Sequence, residues 1–288
     1  SVPCLLQMGS TNAQKIATAL TAGTTLETPA SWLAAPRRNK EAIATLLTTT
    51  NADYLRGALV LGSSIRSFDS ERDMIILVTP LVPVEWRSAL TVAGWRVVEV
   101  AELNEFWFGK SEECSKYDGD QAERWGHMAT KLRLWQMTQY ERIMYLDADT
   151  VLTGPVDATF KSVTGFAAEK ALHHTHFNAG VMLLHLDELK KVDTIARMQH
   201  VLQTQISRRA NNKRLLWENS VNQAPAIIAM YNYTKLVDEG FNCRMHDVMQ
   251  AYDRIPSGTV CKIWHSDGCW KQEGVQEVEA STMETADQ

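Results

Sequence analysis

Residues 142–152, RIMYLDADTVL, decide how this chain is read. Ile143, Met144, Tyr145 and Leu146 make an apolar run of strand length that leads straight into Asp147–Ala148–Asp149. Two aspartates two apart on extended backbone project to the same side. At the carboxyl end of a strand in an open α/β sheet, where ligands collect, such a pair forms a hard-oxygen clamp for a divalent cation. A cation held there can bridge the two phosphates of a nucleotide and stabilise their negative charge as they leave. The competing reading is a polar turn with aspartate as a local cap, because D-x-D triplets arise often by chance.

The surrounding pattern is an alternation of short apolar runs and amphipathic segments. Residues 42–49 predict a buried strand and residues 52–67 a helix; residues 74–78 predict a second strand. Pro83 suits the first turn of a helix that stops at Gly94. Residues 95–100 predict a third strand, residues 130–140 a helix, residues 143–146 a fourth strand and residues 180–185 another. A long helix is expected over residues 187–209. Strands alternating with helices imply an α/β fold with a largely parallel sheet and right-handed crossovers.

Composition excludes several classes. The 288 residues are 45% hydrophobic and 22% charged, which argues against a disordered or fibrous chain. The 29 basic and 34 acidic residues leave a net charge of −5, without the basic excess of a nucleic-acid binder. The longest apolar stretch, residues 74–84, is broken by Thr79, Pro80 and Pro83 and falls short of the ~18 residues of a membrane span. No basic flank precedes Leu5–Leu6, so no signal peptide is visible and a cytoplasmic location is expected. The alternative is the Golgi lumen, should an N-terminal anchor have been removed. The five cysteines are scattered, with no C-x-x-C, and are expected to be reduced thiols rather than a zinc site. Asn232–Tyr233–Thr234 is an N-glycosylation sequon, a triplet that also arises by chance.

The D-x-D segment resembles that of the glycogenin-like family-8 glycosyltransferases, and the likeness extends in family order over roughly residues 45–271. Residues 45–64, TLLTTTNADYLRGALVLGSS, look like the family's first strand and nucleotide-binding helix. Thr130–Lys131–Leu132, Trp135 and Thr138–Gln139–Tyr140 match the helix leading to the metal strand. Phe177–Asn178–Ala179–Gly180–Val181 resembles F-N-[SA]-G-V, and His265, Gly268 and Lys271 have the H-x-x-G-x-x-K spacing.

This resemblance implies a single GT-A-type nucleotide-diphospho-sugar transferase domain over residues 41–271, with a mixed, mostly parallel central sheet flanked by helices. An N-terminal extension (1–40) would precede it and a flexible acidic tail (272–288) follow it. The implied activity is manganese-dependent, retaining transfer of a hexose or related sugar from a UDP-sugar to an acceptor hydroxyl on a glycan, protein or small molecule. Magnesium is the alternative cation, and a homodimer is left open. Asp147, Asp149 and His265 would ligate the metal, Asp147 also touching the ribose. Thr49, Asn51, Tyr54, Ala148, Gly268 and Lys271 would bind the donor, with the Tyr54 ring stacking on the base and Lys271 neutralising the diphosphate. Lys131, Asn178, Asn222 and Gln223 would act at the reacting sugar.

The sequence departs from the family in two places. At the D-Q-G-x-x-N-like element, here residues 218–225 (ENSVNQAP), Asn222 stands where an aspartate is usual and Asn219 replaces a second carboxylate. An amide is no substitute for a carboxylate nucleophile. Three outcomes follow: a front-face reaction with Asn222 and Gln223 as positioners, a register shift that brings in Glu218, or lost catalysis. Counting from Phe241–Asn242, the position of glycogenin's self-glucosylated tyrosine falls on Met249, so self-glucosylation is not expected. The alternative function is a catalytically weak UDP-sugar-binding scaffold. A nucleotidyltransferase ranks low, because the Gly-rich phosphate loop is missing after residues 46–50.

Overall fold

The computed structural model describes residues 40–102, 129–162, 165–170, 177–211, 213, 216, 228–237, 239–244 and 260–266. The terminal segments 1–39 and 272–288, the 218–225 element, Gly268, Lys271 and Met249 lie outside these.

Seven strands form the main sheet: β1 (Glu41–Leu47), β2 (Asp73–Val78), β3 (Arg96–Glu99), β4 (Arg142–Leu146), β6 (Phe166–Lys170), β7 (Phe177–His185) and β8 (Thr234–Leu236), in the order β3-β2-β1-β4-β7-β6-β8. β1, β2, β3 and β4 run parallel to one another, while β7 is antiparallel to both β4 and β6. The sheet is mixed, as the resemblance implies. β1 and β2 read as nearly continuous apolar runs, interrupted in β1 only by Thr45 after Glu41, because both faces are covered. Ala42, Ala44 and Leu46 face one core with Leu132, Leu134 and Trp135, and Ile43 and Leu47 face the other with Ala58, Leu61 and Ile65.

Helix α1 (Ala52–Phe68) follows β1, and the Asn51 side chain caps it by accepting from the Asp53 N–H at 2.9 Å. Gly62 lets α1 close on Trp95: a Cβ there would sit 2.6 Å from the indole nitrogen, which donates to the Ala58 carbonyl. Pro83 stands just before α2 (Val84–Val92) rather than in its first turn, without a side-chain cap hydrogen bond, and Gly94 follows the helix with φ 93°. Helix α3 (Asp157–Ser162) lies in the chain between β4 and β6.

A second, three-stranded sheet joins β5 (Thr150–Leu152), β10 (Ile263–His265) and β9 (Cys243–Arg244) in that order. The Leu152 N–H donates to Ser64 Oγ at 3.1 Å, so α1 holds this sheet against the main one.

Three further expectations change. The helix expected over residues 130–140 is a 3-10 helix, Ala129–Gln136, which ends four residues earlier, and its residues 130–135 are all buried. The long helix over residues 187–209 is two, α4 (Leu186–Lys191) and α5 (Thr194–Ala210). They are split where Asp193 takes φ 46° and its side chain accepts from the Ala196 N–H. Cys243 and Cys261 are joined in a disulfide, against the expected reduced thiols.

Candidate metal and donor site

The order of the parallel strands reverses between β1 and β4, and there β1 ends at Leu47, two residues before Thr49, and β4 at Leu146, one residue before Asp147. A crevice at such a reversal, outside the carboxyl ends of the strands, is the usual ligand site of open α/β sheets. The D-x-D is not on extended backbone, however. The Thr150 N–H and hydroxyl both donate to the Asp147 carbonyl, at 3.1 and 2.7 Å, so Asp147–Asp149 form a tight turn linking β4 to β5. The carboxylates still converge, because the turn is pinned from both sides. The Asp147 N–H donates to the Gly180 carbonyl on β7 (2.8 Å), and the Ser266 N–H donates to the Asp149 carbonyl (2.9 Å).

β10 pairs antiparallel with β5, setting His265 opposite Thr150. His265 Nε2 lies 3.2 Å from Asp149 Oδ1 and 4.0 Å from Asp147 Oδ2. One ligand atom from each of Asp147, Asp149 and His265 lies within 4.8 Å of the other two. Two carboxylates and one imidazole suit a divalent cation that accepts both oxygen and nitrogen, such as Mn2+. The absent side chain of Gly180 makes the cradle: a Cβ there would stand 2.3 Å from His265 Cε1.

Lys131 is not a solvated helix lysine. Its ammonium is buried, 3.1 Å from Asp147 Oδ1 and 3.2 Å from the Ala179 carbonyl, and 4.7 Å from the Tyr145 ring centre. Tyr145, also buried, donates its hydroxyl to the same Asp147 oxygen at 2.5 Å. Burial, then the charge and hydrogen bond of Asp147, holds the Tyr145 phenol well above its usual range. It therefore stays a donor at neutral pH, and Asp147 keeps one oxygen tied down while the other faces the cation position.

Asn178 Oδ1 accepts from the Gly180 N–H at 2.7 Å and from Asn242 Nδ2 at 3.2 Å, which puts Asn178 beside the cluster. Thr49, Asn51 and Tyr54 lie together at the β1 end; the Asn51 N–H donates to Thr49 Oγ1, Asn51 is exposed and Tyr54 half-buried. Ala148 is buried in the D-x-D turn. Asn222, Gln223, Gly268 and Lys271 are outside the described residues. Asn242 was missed as a site residue. Phe241–Asn242 served in the sequence only as a point to count from, and it is the pairing of β9 with β10 that brings Asn242 to His265.

The family model of Glycosyl transferase family 8 matches residues 45–258. The chain is 33% identical over 149 residues to UDP-glucuronate:xylan alpha-glucuronosyltransferase 1 of Arabidopsis thaliana, covering 50% of this chain and 20% of that protein. It is 32% identical over 168 residues to Glycogenin-1 of Oryctolagus cuniculus, covering 58% of this chain and 47% of that protein. The chain thus spans less than half the length of either. Among solved structures, mouse xyloside xylosyltransferase 1 aligns with TM-score 0.54 at 15% identity, over 79% of this chain and 98% of that one. The galactosyltransferase LgtC, in complex with donor and acceptor sugar analogues, aligns with TM-score 0.54 at 14% identity, over 78% and 86%. These structural likenesses show a shared GT-A fold. His265 lies beyond the matched span, yet the second sheet returns it to the D-x-D, and with this architecture around residues 45–258 the chain belongs to glycosyl transferase family 8.

Proposed function

We propose that the chain transfers a sugar from a UDP-sugar to an acceptor hydroxyl with retention of configuration, assisted by a divalent cation, Mn2+ first and Mg2+ second. The observation that carries this is the convergence of Asp147, Asp149 and His265 at the strand-order reversal. Family membership supports sugar transfer, and the name of the Arabidopsis relative specifies a UDP-linked donor.

The cation would be held by Asp147, Asp149 and His265, and when bound it supplies charge neutralisation for the departing diphosphate. The chain's own residues do the rest. Thr49, Asn51 and Tyr54 meet the uridine at the end of β1, where Tyr54 offers a ring face to the base. Lys131 and Tyr145 hold Asp147 in place. Asn178, beside the cluster, would meet the donor sugar. In sequence order Asn222 and Gln223 would position the sugar, and Gly268 and Lys271 would close on the phosphates. With Asn222 an amide, the front-face route is the one these residues suit, since no carboxylate nucleophile stands there. The pair Asn219 and Asn222 also motivates a second reading, a UDP-sugar-binding scaffold with little turnover.

The disulfide bears on location. Disulfides persist in oxidising compartments, so Cys243–Cys261 favours a lumenal site over the cytoplasm expected from the N-terminal sequence. Asn232 of the sequon lies exposed on the turn before β8, where a glycan has room. No described helix is long and apolar enough to cross a membrane.

The experiment is a UDP titration by calorimetry with and without Mn2+, on the parent and on Asp149→Ala. The proposal expects Mn2+ to strengthen UDP binding to the parent and to have little effect on Asp149→Ala at unchanged fold. Equal Mn2+ enhancement in both proteins would remove Asp149 from the site.

A further inference from the structure

We infer that Asn242, immediately before β9, is a positioning residue that fixes the tautomer and orientation of His265; this rests on the metal-assisted reading above. The argument starts from a group of fixed polarity. The Gly180 backbone N–H can only donate, and it donates to Asn178 Oδ1 at 2.7 Å. Asn178 Oδ1 is therefore an acceptor, and the Asn242 atom facing it at 3.2 Å is the amide nitrogen Nδ2. The other branch of that amide, Asn242 Oδ1, lies 3.0 Å from His265 Nδ1. A carboxamide oxygen only accepts, so Nδ1 carries the proton. In the neutral ring the lone pair then falls on Nε2, the nitrogen 3.2 Å from Asp149 Oδ1. A chain of donors and acceptors that begins at a backbone amide thus delivers the ligating nitrogen to the carboxylates.

Metal-binding histidines need an acceptor on the nitrogen that does not ligate, and here a neutral amide fills that place. Asn242 is 1% exposed and His265 3%, so water has little access to substitute for the lost acceptor. Both ends of the 3.0 Å contact are also tied together. Cys243, next to Asn242, is bonded to Cys261, four residues before His265, and Trp264 is in register with Cys243 across β9 and β10. The amide also links the cation position to Asn178, which the proposed function sets at the donor sugar.

The test titrates Mn2+ alone into the full chain. Free Mn2+ is followed by electron paramagnetic resonance, and the coupling of bound Mn2+ to an imidazole nitrogen by its pulsed form. Asn242→Ala is expected to weaken Mn2+ binding by ~10–100-fold and to lose the nitrogen coupling, with an unchanged circular-dichroism spectrum. Asn242→Asp, whose carboxylate still accepts from Nδ1–H but can no longer donate to Asn178 Oδ1, is expected to restore the nitrogen coupling. A folded Asn242→Ala protein with parental affinity and coupling overturns the inference. Should the alanine variant fail to fold, Asn242→Asp decides: retained coupling supports the inference, and loss of coupling in a folded protein overturns it. A parent that binds no Mn2+ overturns the metal reading itself, which is a separate and recognisable result.

Discussion

Gly180→Ala is the most demanding single substitution for this site, because the structure sets its magnitude. Gly180 lies in β7 without a positive φ, so alanine is allowed by the backbone and the effect is steric. The new methyl would stand 2.3 Å from His265 Cε1, 2.9 Å from Nδ1 and 2.8 Å from Asn178 Oδ1, where ordinary contact begins at 3.4 Å. The imidazole must retreat by the difference of 3.4 and 2.3 Å, about 1.1 Å. It is hemmed in by Asp149 on one side and Asn242 on the other. A shift of that size removes Nε2 from a productive ligand position. The expected loss in Mn2+ affinity is ~10–100-fold, the range for disturbing the support of a ligand. Overpacking should also lower stability by ~1–3 kcal/mol. Calorimetric Mn2+ titration and thermal melting read the two effects separately. A second comparison isolates the clash: once His265→Ala has removed the ring, adding Gly180→Ala should cost little further stability. Parental Mn2+ affinity in Gly180→Ala would refute the placement of His265 against Gly180 of β7.

Three further outcomes follow from the same contacts. Tyr145→Phe removes a buried donor to Asp147 and should lower stability by ~1.5–3 kcal/mol in urea unfolding at neutral pH. Because the folded phenol value is raised, its stabilisation is present in full below the unfolded value of about 10 and fades as pH rises above it; a variant that matches the parent at pH 7 would contradict the contact. Cys243→Ser opens a closure spanning 18 residues, worth ~3 kcal/mol by chain entropy, and a melting point equal to the non-reduced parent would show that the bond does not form in solution. Asn222→Ala should lower donor turnover by the ~10²-fold typical of a lost positioning group, whereas full activity would put Asn222 outside the site.

What the sequence revealed tracks how local each signal was. β1, β2 and β4 were legible because burial on both faces writes a nearly continuous apolar run, and Asn51 and Pro83 mark helix starts by their own chemistry. The residues of the Asp147–Asp149–His265 cluster were legible through the D-x-D and the H-x-x-G-x-x-K spacing that singles out His265. The 3-10 form of residues 129–136 was hidden, since burial on every side erases the amphipathic signature that separates helix types. The break at Asp193 needed a left-handed backbone that apolar periodicity does not encode. The second sheet, with strands of two and three residues, is too short to leave a pattern, so the Cys243–Cys261 bond and the Asn242–His265 contact that depend on it were hidden as well.

The most direct test of the central claim is UDP release from a panel of UDP-sugars, UDP-glucuronate among them, with Mn2+ present or chelated and with small acceptor alcohols added. The account predicts release from at least one donor that requires the cation and falls to background in Asp149→Ala, while that variant still folds. Tight, Mn2+-dependent UDP binding with no release from any donor would contradict it and leave the scaffold reading in its place.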